Sequence, residues 1–214
     1  MDSKKAGVDY SLCLVTDRDL MLAARLEDAV EQAILGGVTM VQLREKNISG
    51  EEFFRRAQTL KTVTDRHNVP LIINDRVDIA LAIGAAGVHV GQSDIPAAAV
   101  RRIIEDGMIL GVSASNVEEA RRAAEDEADY IGVGAMFSTG TKTDARIVSK
   151  SELAAIRSAV TTPIMIIGGI SAQTLPNFSG MNIDGIAVVS AILARSDIRE
   201  AAVEMKKVFM DGRA

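Results

Sequence analysis

The chain has no tryptophan, two tyrosines and five phenylalanines, so aromatics make up only 3% of its 214 residues. A chain that is 48% hydrophobic yet this poor in rings must build its core from aliphatics. That favours buried parallel strands covered by helices over an aromatic-rich sandwich. There is one cysteine, Cys13, which excludes an intramolecular disulfide framework and a cysteine-rich zinc site. Only two histidines occur, His67 and His89, so neither a Ser/His/Asp set nor a histidine metal cluster is in view. No run approaches the roughly 18 apolar residues that span a membrane. A basic excess is missing too: 24 Lys plus Arg stand against 29 Asp plus Glu, a formal net charge of −5. That excludes the broad basic face of a nucleic-acid binder. The abundant Ile, Val, Leu and Ala exclude disorder. Met1 to Tyr10 carries two lysines with no apolar stretch behind them. It reads as a short mobile arm over residues 1–9 rather than a signal peptide. With a free cysteine and no export signal, the expected compartment is the cytoplasm.

What is present is alternation. Short aliphatic runs predict strands at Ser11–Thr16, Met40–Arg44, Leu71–Asn74, Gly87–Val90, Ile109–Ser113, Tyr130–Gly134, Ile164–Ile167 and Gly185–Ser190. Between them, apolar residues recur at helical spacing over Leu26–Leu35, Glu51–Arg66, Val100–Ile104, Val117–Ala128, Glu152–Val160 and Ile198–Phe209. Capping-box patterns at Ser49 to Glu52, Ser115 to Glu118 and Ser149 to Glu152 mark helix starts. Eight strand–helix units of about 27 residues consume the chain. Right-handed crossovers wind such units one way, and eight most naturally close into a (β/α)8 TIM barrel, one α/β domain over 1–214. A doubly wound open sheet is the alternative, because strand order is not written in the sequence.

Barrel active sites gather where strands end. On strand two, alternation puts Gln42, Arg44 and Lys46 on one face and Val41, Leu43 and Glu45 on the other. Three polar donors at a rim suit an anion; the competing reading is a solvated loop start with an Arg44–Glu45 ion pair. Asp75 follows strand three and Asp94 follows strand four. Two carboxylates on adjacent rims could share Mg2+, or each could cap a helix. After strand six, Phe137 to Asp144 is a hydroxyl-rich loop with Gly140 and Lys142. It could wrap a phosphate or be a plain loop. Gly168-Gly169 and Val189-Ser190 end strands seven and eight, where such barrels often hold phosphate. His89, between Val88 and Val90, reads as a packed interior histidine, and His67 as a helix-end residue.

Taken together, Gln42-Leu-Arg-Glu-Lys46, Asn74-Asp75, Gly91 to Asp94, Gly111-Val-Ser113, Thr139 to Lys142 with Asp144, Gly168-Gly-Ile170 and Val189 to Ile192 resemble the thiamine phosphate synthase family, a (β/α)8 barrel. The resemblance covers nearly the whole chain. It implies a transferase that joins hydroxymethylpyrimidine diphosphate to thiazole phosphate, giving thiamine monophosphate and pyrophosphate. It assigns Gln42, Leu43, Arg44, Glu45, Lys46, Asn74, Ser113 and Lys142 to the pyrimidine diphosphate. Arg44, Lys46, Lys142 and Ser113 act on the reaction itself. Thr139, Gly140, Thr141, Gly169, Val189 and Ser190 take the thiazole phosphate, and Asp75 and Asp94 take Mg2+. The partners implied are these small molecules, with no nucleic acid and no membrane; a homo-oligomer is left open. The sequence departs from the family pattern at Ser115, where histidine is frequent, and at Ser138, where proline is. A thiazole tautomerase of the same barrel type would not need the diphosphate and Mg2+ residues, and a non-catalytic ligand sensor would need an output module that the chain lacks room for.

Overall fold

In a computed structural model describing residues 7–23, 25–138 and 146–213, strands and helices alternate. The strands are β1 (Leu12–Val15), β2 (Met40–Leu43), β3 (Leu71–Asn74), β4 (Gly87–Val90), β5 (Ile109–Ala114), β6 (Tyr130–Val133), β7 (Ile164–Ile167) and β8 (Gly185–Val188). Every neighbouring pair is parallel, and Leu12 to Leu14 of β1 pair with Ile186 to Val188 of β8. That last pairing closes the barrel and removes the open-sheet alternative.

The two faces of each strand do different work, as a side-chain period of two requires. Inward residues form one cluster: Cys13, Val15, Met40, Ile72, Ile109, Tyr130, Met165 and Ala187. Outward residues such as Val41, Leu43, Ile73, Val88, Leu110 and Ile131 join the buried faces of the helices in a second, larger cluster. The aliphatic core anticipated from the scarcity of rings is therefore built as two concentric shells. Val8 and Tyr10 pack against the inner cluster, and Tyr10 lies 5.5 Å from the Tyr130 ring. The described end of the expected arm is thus packed on the barrel. Residues 1–6 lie outside the described residues.

The helices are α1 (Leu26–Leu35), α2 (Gly50–Arg66), α3 (Val77–Ile83), α4 (Ala97–Ile103), α5 (Val117–Glu125), α6 (Lys150–Ala159), α7 (Ser190–Leu193) and α8 (Ile198–Asp211). Strict strand–helix alternation fails in one place: a single 3-10 turn, Leu175–Phe178, links β7 to β8, while α7 and α8 both follow β8. Ser49 and Ser149 cap α2 and α6 by accepting from the N–H of Glu52 and Glu152, each at 3.1 Å. At α5 the cap is Asn116, not Ser115: Asn116 Oδ1 accepts from Glu119 N at 2.9 Å, and the Glu119 carboxylate reaches back to Ser115 N at 2.7 Å. The box is shifted by one residue because Asn, like Ser, accepts well at this position. Among the described residues no helix is long and apolar enough to cross a membrane.

Candidate active site

The C-terminal strand ends surround a cavity of ≈ 720 Å3, within the range of small-molecule sites. Gln42, Arg44, Lys46, Asn74, Asp75, His89, Asp94, Ser113, Gly169, Val189 and Ser190 all line it. A smaller hollow of ≈ 330 Å3, between the 3-10 turn, α8 and the start of β8, gathers no strand ends of this kind.

The residues of β2 sort as alternation predicts. Gln42 is 6% exposed on the inner face and its amide donates to the Tyr130 hydroxyl at 3.5 Å. Arg44 is fixed through its backbone: its N–H donates to Thr16 Oγ1 at 3.0 Å, and the Thr16 hydroxyl donates to the Arg44 carbonyl at 3.3 Å. Its guanidinium faces Asp17 at 3.4 Å, and the Arg44–Glu45 pair of the competing reading is not formed. Glu45 points the other way and takes Arg56 of α2 at 2.8 Å. Leu43, also assigned to the diphosphate by resemblance, is fully buried in the outer shell. The side chains of Leu43 and Glu45 do not line the cavity.

Asp75 and Asp94 come together at the adjoining rims of β3 and β4. Asp75 sits in the left-handed region at φ 62, a conformation that Asp tolerates better than most residues. Its backbone N–H donates to the His89 carbonyl at 2.9 Å. Its carboxylate receives Lys46 Nζ at 2.7 Å. Asp94 Oδ2 accepts from the Gly91 N–H at 2.8 Å. Neither caps a helix: the residues before α3 and α4 are Arg76 and Pro96, without a side-chain cap bond. Burial pushes the Asp94 carboxyl above its ordinary value; Asp75, within hydrogen-bonding reach, pushes the same way, and the Gly91 N–H and Lys46 pull against both. Two carboxylates close enough to repel share best around a proton or a cation. Their hard oxygens fit Mg2+, which takes one or two protein carboxylates and completes its shell with water and phosphate. Among the described residues no group of three or more His, Cys, Asp or Glu could hold a metal.

Across the cavity, Gly168 and Gly169 both have positive φ, 93 and 66. Glycine adopts that conformation freely, and here the β7 loop passes close against Ala135 and Phe137 after β6, while Val189, Ser190 and Arg195 line the same cavity. The lining residues described thus carry three cations, Arg44, Lys46 and Arg195, against two carboxylates. With Asp17 held against Arg44 at 3.4 Å, the charges at the hollow balance, so the net negative charge of the chain does not extend into it. Thr139, Gly140, Thr141, Lys142 and Asp144 lie outside the described residues.

Some lining or supporting residues were not singled out from the sequence. Asp17 follows β1, a strand end as readable as the others. Arg195 lies beyond β8 just after the short α7, where no pattern marks it. Tyr130 opens β6 and reaches the site only through the register of three strands. His89 is packed inside the barrel, as its place between Val88 and Val90 suggests, and is 7% exposed, yet it also lines the cavity.

The thiamine monophosphate synthase family profile matches residues 12–192. A thiamine-phosphate synthase of Clostridium beijerinckii is 58% identical over 96% of this chain and 99% of its own. One from Ruminiclostridium cellulolyticum is 56% identical over 97% and 99%. The solved structure of a thiamine phosphate pyrophosphorylase from Pyrococcus furiosus superposes with a TM-score of 0.88 at 33% identity, covering 97% of this chain and 98% of that one. Its eight-stranded closed barrel, its rim of phosphate-compatible side chains and these full-length likenesses place the chain in the thiamine monophosphate synthase family.

Proposed function

We propose that the chain is a thiamine-phosphate synthase whose reaction takes place in the ≈ 720 Å3 cavity: hydroxymethylpyrimidine diphosphate loses pyrophosphate, and the ring nitrogen of thiazole phosphate bonds to the exposed methylene. The observation that carries this reading is that Gln42, Arg44 and Lys46 from β2, Asn74 and Asp75 from β3, Asp94 after β4, Ser113 of β5, Gly169 after β7 and Ser190 after β8 all line one hollow.

The reaction needs no side-chain nucleophile. An aminopyrimidine delocalises positive charge as its methylene–oxygen bond breaks, so the step is dissociative and negative charge grows on the departing diphosphate. Arg44 and Lys46, with Lys142 from the loop after β6, hold that charge. Preorganised cations and donors stabilise charge that develops in the transition state without reorganisation at the moment of reaction. Gln42, Asn74 and Ser113 orient the pyrimidine and its diphosphate, which makes the attack effectively unimolecular. Gly169, Val189 and Ser190, with Thr139, Gly140 and Thr141, take the thiazole phosphate at the far wall and aim its nitrogen at the methylene. Asp75 and Asp94 would hold Mg2+, which supplies charge neutralisation to the diphosphate oxygens. Lys46, which now neutralises Asp75, is within side-chain reach of the same region. The lone buried thiol, Cys13, is consistent with a reducing cytoplasmic compartment.

Mixing the chain with both substrates tests this. Thiamine monophosphate and pyrophosphate are expected in equal amounts with Mg2+, and neither above background with a chelator. Absence of thiamine monophosphate in the complete mixture would sink the reading.

A further inference from the structure

We propose that His89 is a positioning residue for the synthase reaction: through Nε2 it fixes the Ser113 hydroxyl as a hydrogen-bond donor into the cavity. This rests on the function proposed above.

The strand register builds a lane for it. His89 of β4 pairs with Gly111 of β5, and Gly111 pairs with Tyr130 of β6. A Cβ at Gly111 would lie 2.1 Å from Tyr130 Cζ and 2.5 Å from His89 Nδ1. The missing side chain on β5 is what lets the two rings meet across it. One layer higher, a Cβ at Gly132 would stand 3.1 Å from His89 Cε1, so a second glycine on β6 clears the other side of the imidazole. Within this space Nδ1 is 2.9 Å from the Tyr130 hydroxyl and Nε2 is 2.9 Å from Ser113 Oγ.

The direction of the chain follows from its ends. Tyr130 is fully buried, and that burial holds its phenol well above the ordinary value, so the group stays O–H. The Gln42 amide already donates to the phenol oxygen. The phenol proton therefore goes to His89 Nδ1, which leaves the imidazole proton on Nε2, and that N–H donates to Ser113 Oγ. The Ser113 proton is then turned away from His89, toward the cavity that Ser113 lines. A hydroxyl oriented in advance as a donor suits a site in which negative charge grows on a departing diphosphate. Rotated the other way it would offer that charge a lone pair.

Two replacements separate positioning from packing. Glutamine carries its amide nitrogen near the place of Nε2 and can still donate to Ser113; asparagine reaches only the place of Nδ1. We expect His89→Gln to keep kcat within about threefold of wild type and His89→Asn to lose about ten- to a hundredfold, with KM values nearly unchanged. Adding His89→Asn to Ser113→Ala should cause no further loss, since both changes remove one interaction. Equal loss in the Gln and Asn variants, or losses that multiply in the double variant, would overturn the proposal. An inactive wild-type chain would overturn the synthase reading instead. The native protein offers a readout independent of turnover: with histidine labelled by 15N, and His67→Gln used to assign the two imidazoles, His89 should show a protonated Nε2 and a bare Nδ1. The opposite tautomer would refute the positioning role whatever the activity.

Discussion

Replacing Asp75 by asparagine separates a ligand from a structural ion pair. The side chain keeps its shape, and Asn accepts the left-handed backbone at φ 62 as readily as Asp. What disappears is one negative charge. The pair it makes with Lys46 spans 2.7 Å, but the Lys46 side chain is 51% exposed, so its loss costs about 0–1 kcal/mol. Part of that is offset because Asp75 also crowds Asp94 and helps raise its carboxyl. Stability should therefore change by less than about 1 kcal/mol, and Tm by less than about 4 °C. Activity should respond on another scale. Weakening charge neutralisation at the diphosphate by about 3 kcal/mol lowers kcat/KM by roughly two orders of magnitude, and the Mg2+ concentration for half-maximal rate should rise at least about tenfold. Initial rates of thiamine monophosphate formation over a Mg2+ series, beside thermal melts, measure both. Wild-type kcat/KM with an unchanged Mg2+ requirement would show that Asp75 is not a ligand. A fall in Tm of more than about 10 °C would show that the ion pair is structural and that the reasoning from exposure is wrong.

Lys142→Ala should abolish most synthase activity while leaving the melting temperature unchanged; wild-type rates would remove Lys142 from the reaction. At Gly169, φ 66 and a Cβ position 2.7 Å from Phe137 Cβ mean that Gly169→Ala should destabilise by about 1–3 kcal/mol and raise KM for thiazole phosphate more than KM for the diphosphate. Unchanged Tm and KM would show that the loop needs no glycine there. Burial pushes the Cys13 thiol from 9.0 up to about 12. A folded value above the unfolded one means that this group's contribution to stability is complete below pH 9 and declines as pH climbs toward 12. A disulfide reagent at pH 8 should accordingly leave the native thiol untouched over minutes and label it at once in denaturant; rapid native labelling would contradict its place inside the barrel.

How much of this was legible beforehand depended on whether the information was local. Strand cores were, because β-branched runs between turn residues are local: β3, β4 and β7 begin and end at the expected residues. α1 was legible for the same reason, its apolar stripe running through Leu26, Ala29, Val30 and Ala33. α3 was not: seven residues give fewer than two turns of periodicity, and no side chain caps it. Closure by the β8–β1 pairing is a long-range fact that no local pattern encodes. At the site, alternation on β2 correctly aimed Gln42, Arg44 and Lys46 inward, but charge partners were beyond its reach. Arg44 chose Asp17 across the neighbouring strand over adjacent Glu45, because adjacent residues on a strand point to opposite faces. The Tyr130–His89–Ser113 chain was hidden most deeply, since it depends on a glycine in the strand between two rings.

A crystal structure of the chain with Mn2+ and inorganic pyrophosphate, read by anomalous scattering, decides whether the two rim carboxylates hold the metal. A Mn2+ peak is expected between the carboxylates of Asp75 and Asp94, with pyrophosphate bound beside it and contacted by Arg44 and Lys46. Mn2+ and pyrophosphate bound together elsewhere, with the Asp75–Asp94 rim showing neither, would contradict that placement.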